Sequence, residues 1–393
     1  NTIAVAGDYG IYCDNSSSST IQSNTIDGSY SQAAIRMDNC AFCDFSDNTI
    51  ANRPYRGIWV DNGFTTTINN NTMDVQEDGI RAENGSFLTI NYNEITDFEE
   101  YGINFHSSEN STVNYNRILS LNGYGGWRRA INNTDGTSQN AVVNYNYIDL
   151  GTDVNNKYGI EVHDSEIKFD TIINWSGYAC CGTSISGIRA DRSVIEDNYI
   201  EVFNDGCGCG GDGNGVGIES YSSATTRSSI KNNTTYAGGK SRGIWASYSD
   251  IENNHIEVIG GWSSNYAIGH GDYNVIRNNS IVNMDHGINV ESRWDNVVDS
   301  NSIVVNERGI YGSNTSGMHT ITNNYINKTG GDKFLYFTNL DSVIVTNNTF
   351  LSTGGEGFYF ENTYVDVRYN LLTTPGRGIH CENQVAGEIG NNT

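Results

Sequence analysis

One short phrase recurs along the whole chain and restricts what the chain can become. An apolar residue is followed three positions later by Asn, then by any residue, then by Ile; the clearest copy is IQSNTI at residues 21–26. The Asn column runs Asn1, Asn24, Asn48, Asn71, Asn93, Asn116, Asn146, Asn198, Asn233, Asn254, Asn279, Asn301, Asn324, Asn348, Asn370 and Asn392. Asp170, in IKFDTI (167–172), fills the double gap after Asn146. That leaves 16 intervals of about 24 residues, a period that identifies a solenoid.

A second phrase, Gly-Ile or Ala-Ile, follows each Asn by about ten residues and opens a strict alternation. Ile160-Glu161-Val162-His163, Ile58-Trp59-Val60-Asp61 and Ile103-Asn104-Phe105-His106 read inward and outward in turn. A period of two marks strands. Each turn offers two or three strands of roughly four residues, and none can bury its own apolar face, so turns must stack. The expectation is an all-β, single-stranded right-handed parallel β-helix of about 16 turns spanning 1–393 as one continuous domain. Turns would lie ~4.8 Å apart, with the Asn amides bonding along one corner.

Charged residues are only 17% of the chain, yet its net charge is −24, which argues against a nucleic-acid partner, whose phosphates need a basic surface. No run of ~18 apolar residues exists to span a membrane. There is no initiator Met or leader pattern, so the chain is expected to be a mature product or an excerpt. An extracellular or cell-surface location fits the acidity and the cysteines. Of eight, Cys180/Cys181 and Cys207/Cys209 fall in insertions on adjacent turns, where inter-turn disulfides are expected. Cys40 and Cys43 are placed in the same disulfide class, a CxxC metal or redox site being the alternative. Cys13 and Cys381 read as core. Sequons at Asn15, Asn84, Asn110 and Asn174 permit glycosylation.

From Asn116 the turns swell. The distance from the column to the next Gly-Ile or Ala-Ile becomes 15, 14, 18 and 20 residues. Four insertions, 119–130, 149–159, 173–187 and 201–217, thus leave one corner, and stacked insertions mark a binding face. Both ends of the chain stop inside the repeat phrase, in matching phase. Copies joined end to end, or further segments of the same polypeptide, are the expected partners.

On the Gly-Ile sheet, one outward column runs Tyr12, Arg36, Trp59, Arg81, Asn104, Asn132, Glu161, Arg189, Glu219, Trp245. The other runs Asp14, Asp38, Asp61, Glu83, His106, Thr134, His163, Asp191, Tyr221, Ser247. His106, Glu161, His163, Arg189 and Asp191 gather beside the insertions, a set that suits uronate chemistry. Arginine neutralises the sugar carboxylate while a base and an acid move protons. Trp59, Trp245 and Tyr12, with Arg36 and Arg81, are the expected glycan contacts. The acidic column admits weak Ca²⁺ binding or a solvated face. No metal site and no other cofactor is indicated.

The whole chain resembles the parallel β-helix repeat proteins, which include pectate-lyase-like enzymes, alginate epimerases, phage tailspikes and surface fibres. YGIEVH (158–163) resembles the alginate epimerase motif Tyr-Gly-Phe-Asp-Pro-His, whose Tyr, Asp and His are catalytic. The resemblance implies those roles for Tyr158, Glu161 and His163. Glu161 stands in place of Asp, Val162 in place of Pro and Ile160 in place of Phe. The first functional expectation is a structural segment of an extracellular filament or surface fibre, with a glycan-binding face. The alternatives are a polysaccharide lyase, epimerase or hydrolase and a glycan-binding adhesin stalk.

Overall fold

The computed structural model describes residues 1–4, 7–120, 127–134, 140–152, 156–176, 184–204, 214–261, 266–269, 271–291, 294–383 and 385–393. They form two compact units, Asn1–Gly213 and Asn214–Thr393. Every regular element among them is a strand, and no helix is long and apolar enough to cross a membrane. The fold is a right-handed parallel β-solenoid of about 14 turns, slightly fewer than the 16 expected. Counting column intervals includes edge coils: exposed Asn1 reaches Asn24 Oδ1 at only 3.4 Å.

Three strands make each regular turn of the first unit. Arg56–Asp61 pairs in parallel with Asp78–Glu83, Asp44–Ser46 with Thr67–Asn69, and Thr49–Ala51 with Thr72–Asp74. Ile58, Ile80, Ile103, Ile131, Ile160 and Ile188 stack inside with no exposed surface. Glycine precedes most of them because turns approach closely there: a Cβ on Gly79 would lie 2.5 Å from Gly102 O and 2.4 Å from Ile95 Cγ2.

The Asn column is a buried ladder. Each side-chain oxygen accepts from the backbone N and amide of the preceding column residue, and each amide donates one turn onward and one turn back. Asn93 Oδ1 accepts from Asn71 N (3.1 Å) and Asn71 Nδ2 (3.0 Å), while Asn93 Nδ2 donates to Asn116 Oδ1 (3.0 Å) and Ile68 O (2.8 Å). Asp170 takes its place in this ladder, its Oδ1 accepting from Asn146 N (2.6 Å) and Nδ2 (2.9 Å). The residue before each column position turns left-handed: Tyr92, Tyr115, Tyr145 and Phe169 all have φ of 56–59°. Bulky residues are rare there, and face-to-face stacking at 4.8–4.9 Å offsets the strain.

The second unit repeats the plan with longer strands, among them Ser302–Thr322 and Lys333–Thr346. Its column runs Asn233, Asn254, Asn279, Asn301, Asn324, Asn348, Asn370 and Asn392. A second ladder turns another corner, where Asn274 N donates to Asn296 Oδ1 (2.8 Å) and Asn296 N to His319 Nδ1 (3.3 Å). His319 is fully buried, and burial lowers its pKa to about 4. A folded value below the ordinary ~6.5 means stability is present above that pH and lost as pH falls toward 4. We expect urea midpoints of the second unit to drop between pH 7 and pH 4.5, and His319→Asn to flatten that dependence.

The cysteine expectation needs correcting where it can be seen. Cys40 and Cys43 are free thiols buried in the core, Cys40 Sγ lying 3.5 Å from Thr66 Oγ1 and Cys43 Sγ 3.5 Å from Ser16 O. Both side chains pack inward like the apolar residues around them, and burial pushes the Cys40 thiol up to about 12, far from reactive. Cys13 is half-buried and Cys381 exposed, because each sits on an edge coil of its unit. Cys180, Cys181, Cys207 and Cys209 lie outside the described residues. One sequon is closed: Asn174 is fully buried, its Nδ2 donating to Lys157 O (3.1 Å) and Ser186 O (2.9 Å).

Candidate functional site

The outward column assembles in the expected register. Tyr12 pairs with Arg36, Arg36 with Trp59, Trp59 with Arg81, and Arg81 with Asn104. Asn104 then pairs with Asn132, Asn132 with Glu161, and Glu161 with Arg189. Parallel pairing places these side chains about 4.8 Å apart on one face.

The upper part of that face is sealed by its own contacts. The Arg36 guanidinium lies 3.6 Å from the centre of the Trp59 ring and Arg56 4.8 Å from it, while Trp59 Nε1 donates to Glu83 Oε2 (3.0 Å). Arg81 pairs with Glu83 (2.7 Å) and Asp78 (3.3 Å). Trp59, Arg36 and Arg81 are therefore committed to a cation–π and ion-pair stack. Tyr12 is half exposed, with its hydroxyl donating to Asp38 (3.0 Å). In the second unit the Trp245 ring lies under Arg242 at 3.8 Å and against Gly269. Asp38 is engaged by Arg36 and Tyr12, and Glu83 by Arg81 and Trp59. Among the described residues no three acidic, His or Cys side chains converge as metal ligands.

The expected catalytic set divides into three parts. Glu161, 4% exposed, is held by Arg129 on one oxygen and by Arg189 on the other (3.3 Å). Tyr158, equally buried, packs its ring between those arginines, 5.6 Å from Arg129 and 5.8 Å from Arg189. Lys157 anchors the corner beside it by donating to Leu150 O, Gly151 O and Trp175 O, all at 3.0 Å. His163 Nδ1 stands 3.3 Å from Asp191 Oδ2 but is buried without a hydrogen bond to it. His106 is exposed two turns away, about 10 Å along the axis.

An open cleft of about 370 Å³ lies one corner over, lined by Tyr55, Gln76, Glu77, Glu99, Glu100, Trp127 and Arg129. The backbone builds it by stacking: Glu77 N donates to Tyr55 O (2.9 Å), Glu100 N to Glu77 O (3.1 Å) and Arg129 N to Glu100 O (2.9 Å). Trp127 is 54% exposed, its ring stacked 6.4 Å from Tyr158 and 5.7 Å from the Arg129 guanidinium. Burial, then the neighbouring Glu77 carboxyl, raises the Glu100 pKa. Burial likewise raises Asp78, beneath the cleft, against the pull of Arg56 and Arg81. The Tyr55 hydroxyl faces Glu77, whose carboxylate raises its pKa. An aromatic face beside clustered carboxyls and a tyrosine hydroxyl can hold a sugar ring and hydrogen-bond its edges.

Sequence reasoning passed over this cleft. Trp127 and Arg129 were read as part of an insertion, and the position just before the Gly-Ile phrase was not followed as a column. Following it gives Arg56, Asp78, Tyr101, Arg129 and Tyr158 in register.

A family model described as a right handed beta helix region matches residues 1–147. A second, described as periplasmic copper-binding protein (NosD), matches 212–330 and 258–393. No curated protein sequence matches the chain significantly. Among solved structures, the chain is similar to PfbA, a surface adhesin of Streptococcus pneumoniae. The identity is 12% and the TM-score 0.42, over 80% of this chain and 83% of that one. It is also similar to the A-module of the mannuronan C-5 epimerase AlgE6 of Azotobacter vinelandii. There the identity is 10% and the TM-score 0.34, over 85% and 88%. The second unit's described histidines do not form a copper site. His319 serves the buried ladder, His286 stacks on Tyr266 (5.0 Å), His255 faces Glu257 (3.4 Å) and His380 lies beside Arg377 (3.3 Å).

Proposed function

We propose that this β-solenoid binds glycans at the cell envelope or outside the cell through the cleft beside its Gly-Ile sheet. The observation that carries this reading is the half-exposed Trp127 ring set over a cleft of carboxyl and hydroxyl groups. The periplasmic description of the family model over the second unit supports the envelope location. The net charge of −24 supports an uncharged or cationic partner over an acidic one.

Burying an aromatic face is worth ~1.5–3 kcal/mol, about 10- to 150-fold in affinity. Titration of the full chain against a panel of neutral, amino and uronate oligosaccharides should therefore find at least one that binds. Trp127→Ala should weaken that glycan at least about tenfold while the melting curve stays in place. A panel with no binder overturns the reading. The same panel reports turnover: products formed by the wild type and lost in His163→Ala would assign catalysis to the His163–Asp191 pair, with Tyr158, Glu161, Arg189 and His106 around it.

Linear association is the second reading. What supports it is the pairing itself, because every coil of each unit docks on the next through in-register parallel strands, an interaction open to any coil of like period. Electron microscopy of native material separates the cases. Rods joined in filaments support a fibre segment; particles dispersed at every concentration overturn it.

A further inference from the structure

The charges around the cleft do not balance. Glu99 pairs with Arg53 at 3.6 Å, and Glu77 with Arg56 at 3.3 Å. Arg56 is shared with buried Asp78 (3.0 Å), which also draws on Arg81 (3.3 Å). Arg129, the cation on the cleft wall, is bound to Glu161 and receives no carboxylate from the cleft. Glu100 has no Lys, Arg or His within ion-pair distance among the described residues. It packs against Glu77 instead, one turn below; Glu77 Oε2 faces Arg56, and Asp78 Oδ1 is buried without a hydrogen-bond partner. A wall with surplus carboxylate and an aromatic platform has the polarity to receive a cation carried on a ring.

Resting on the glycan-binding reading above, we propose that the cleft takes an amino sugar, its protonated amine set between Glu77 and Glu100 and its ring against Trp127. The raised pKa of Glu100, from burial and from Glu77, agrees with a carboxyl set beside Glu77 with no cation of its own. A uronate meets the same carboxylates with like charge, and the one wall arginine is already engaged. N-acetylation removes the positive charge and with it the reason to prefer this wall.

The test is calorimetric titration of the full chain with a glucosamine hexamer, its fully N-acetylated counterpart and a galacturonate hexamer, at low and high salt. The glucosamine hexamer should bind about tenfold or more tighter than the acetylated one. That margin should shrink in high salt and disappear in Glu100→Gln, while Trp127→Ala weakens both. Circular dichroism melts establish that each variant is folded, and both substitutions are on the cleft wall outside the core. Equal binding of the amine and acetylated hexamers, or tighter binding of the uronate, overturns the amino-sugar assignment and leaves glycan binding standing. Binding of none of the three, together with an empty panel above, overturns both.

Discussion

Replacing Asp170 with Asn is expected to stabilise the first unit at neutral pH by about 1–3 kcal/mol, the cost of leaving a buried acceptor unsatisfied. Every other described member of the ladder offers an oxygen in one direction and an N–H in the other. Asp170 offers two oxygens. Its Oδ1 accepts from Asn146, while its Oδ2 is buried without a partner. The repeat places acceptors around Oδ2, as the equivalent Asn146 Nδ2 donates to Val113 O (2.9 Å) and Asn144 O (3.2 Å). Only a protonated carboxyl can donate there. Burial accordingly raises the Asp170 pKa well above its ordinary value, against the pull of the Asn146 donors.

The sign of the pH dependence follows. A carboxyl raised in the folded state gives its full stability below the unfolded pKa of ~3.9 and loses it as pH rises through the folded value. Asp170→Asn should therefore change little near pH 3, and its gain should grow with pH until the folded value is passed. Urea denaturation of both proteins from pH 3 to 8 measures this. Parallel curves with no widening gap would mean that Asp170 stays neutral at no cost, or is ionised without penalty.

Asp170 also shows how legible the fold was. The phrase period placed it in the ladder because a carboxyl matches an amide in size, and the hydrogen bonds agree. Periodicity alone placed the strands in register, from Tyr12–Arg36 to Glu161–Arg189, since in a solenoid the contacts between turns are set by the repeat rather than by long-range choices. What periodicity does not carry is the environment of an inward slot. Cys40 and Cys43 were placed with the disulfide cysteines, a CxxC metal or redox site being the alternative, whereas each simply fills the core.

The site was less legible than the fold, for a related reason. Alternation identifies outward residues but not whether neighbours cover them. Trp59 looked like a free stacking surface until Arg36 was seen 3.6 Å from its ring, and Glu161 like a free base until Arg129 and Arg189 were seen on its two oxygens. The cleft is made at a corner, where alternation stops and side-chain direction depends on the corner's backbone. Tyr55, Glu77 and Glu100 carried no pattern that distinguished them from a solvated edge, although their spacing repeats the turn.

Asn93→Ala should be the most damaging polar substitution in the first unit, on the order of 3–5 kcal/mol. Asn93 is 1% exposed and its amide has five hydrogen-bond contacts: two accepted from Asn71, and from its two N–H groups donations to Ile68 O and Asn116 Oδ1, with Asn91 O as a shared acceptor. Alanine leaves all five partners facing a cavity at mid-ladder, where coils on both sides hold them in place. Gln22→Ala, which removes one exposed bond to Asp47 (3.0 Å), should cost within about 0.5 kcal/mol and serves as the comparison. Asn93→Asp separates bonding from packing, because it keeps the volume and one acceptor while turning the donor into a second acceptor. It should recreate the Asp170 situation, with a loss that is smallest in acid and grows toward neutral pH. A variant series in which Asn93→Ala melts with the wild type would show that stacked strands alone hold the coil, and that the column marks register without supporting it.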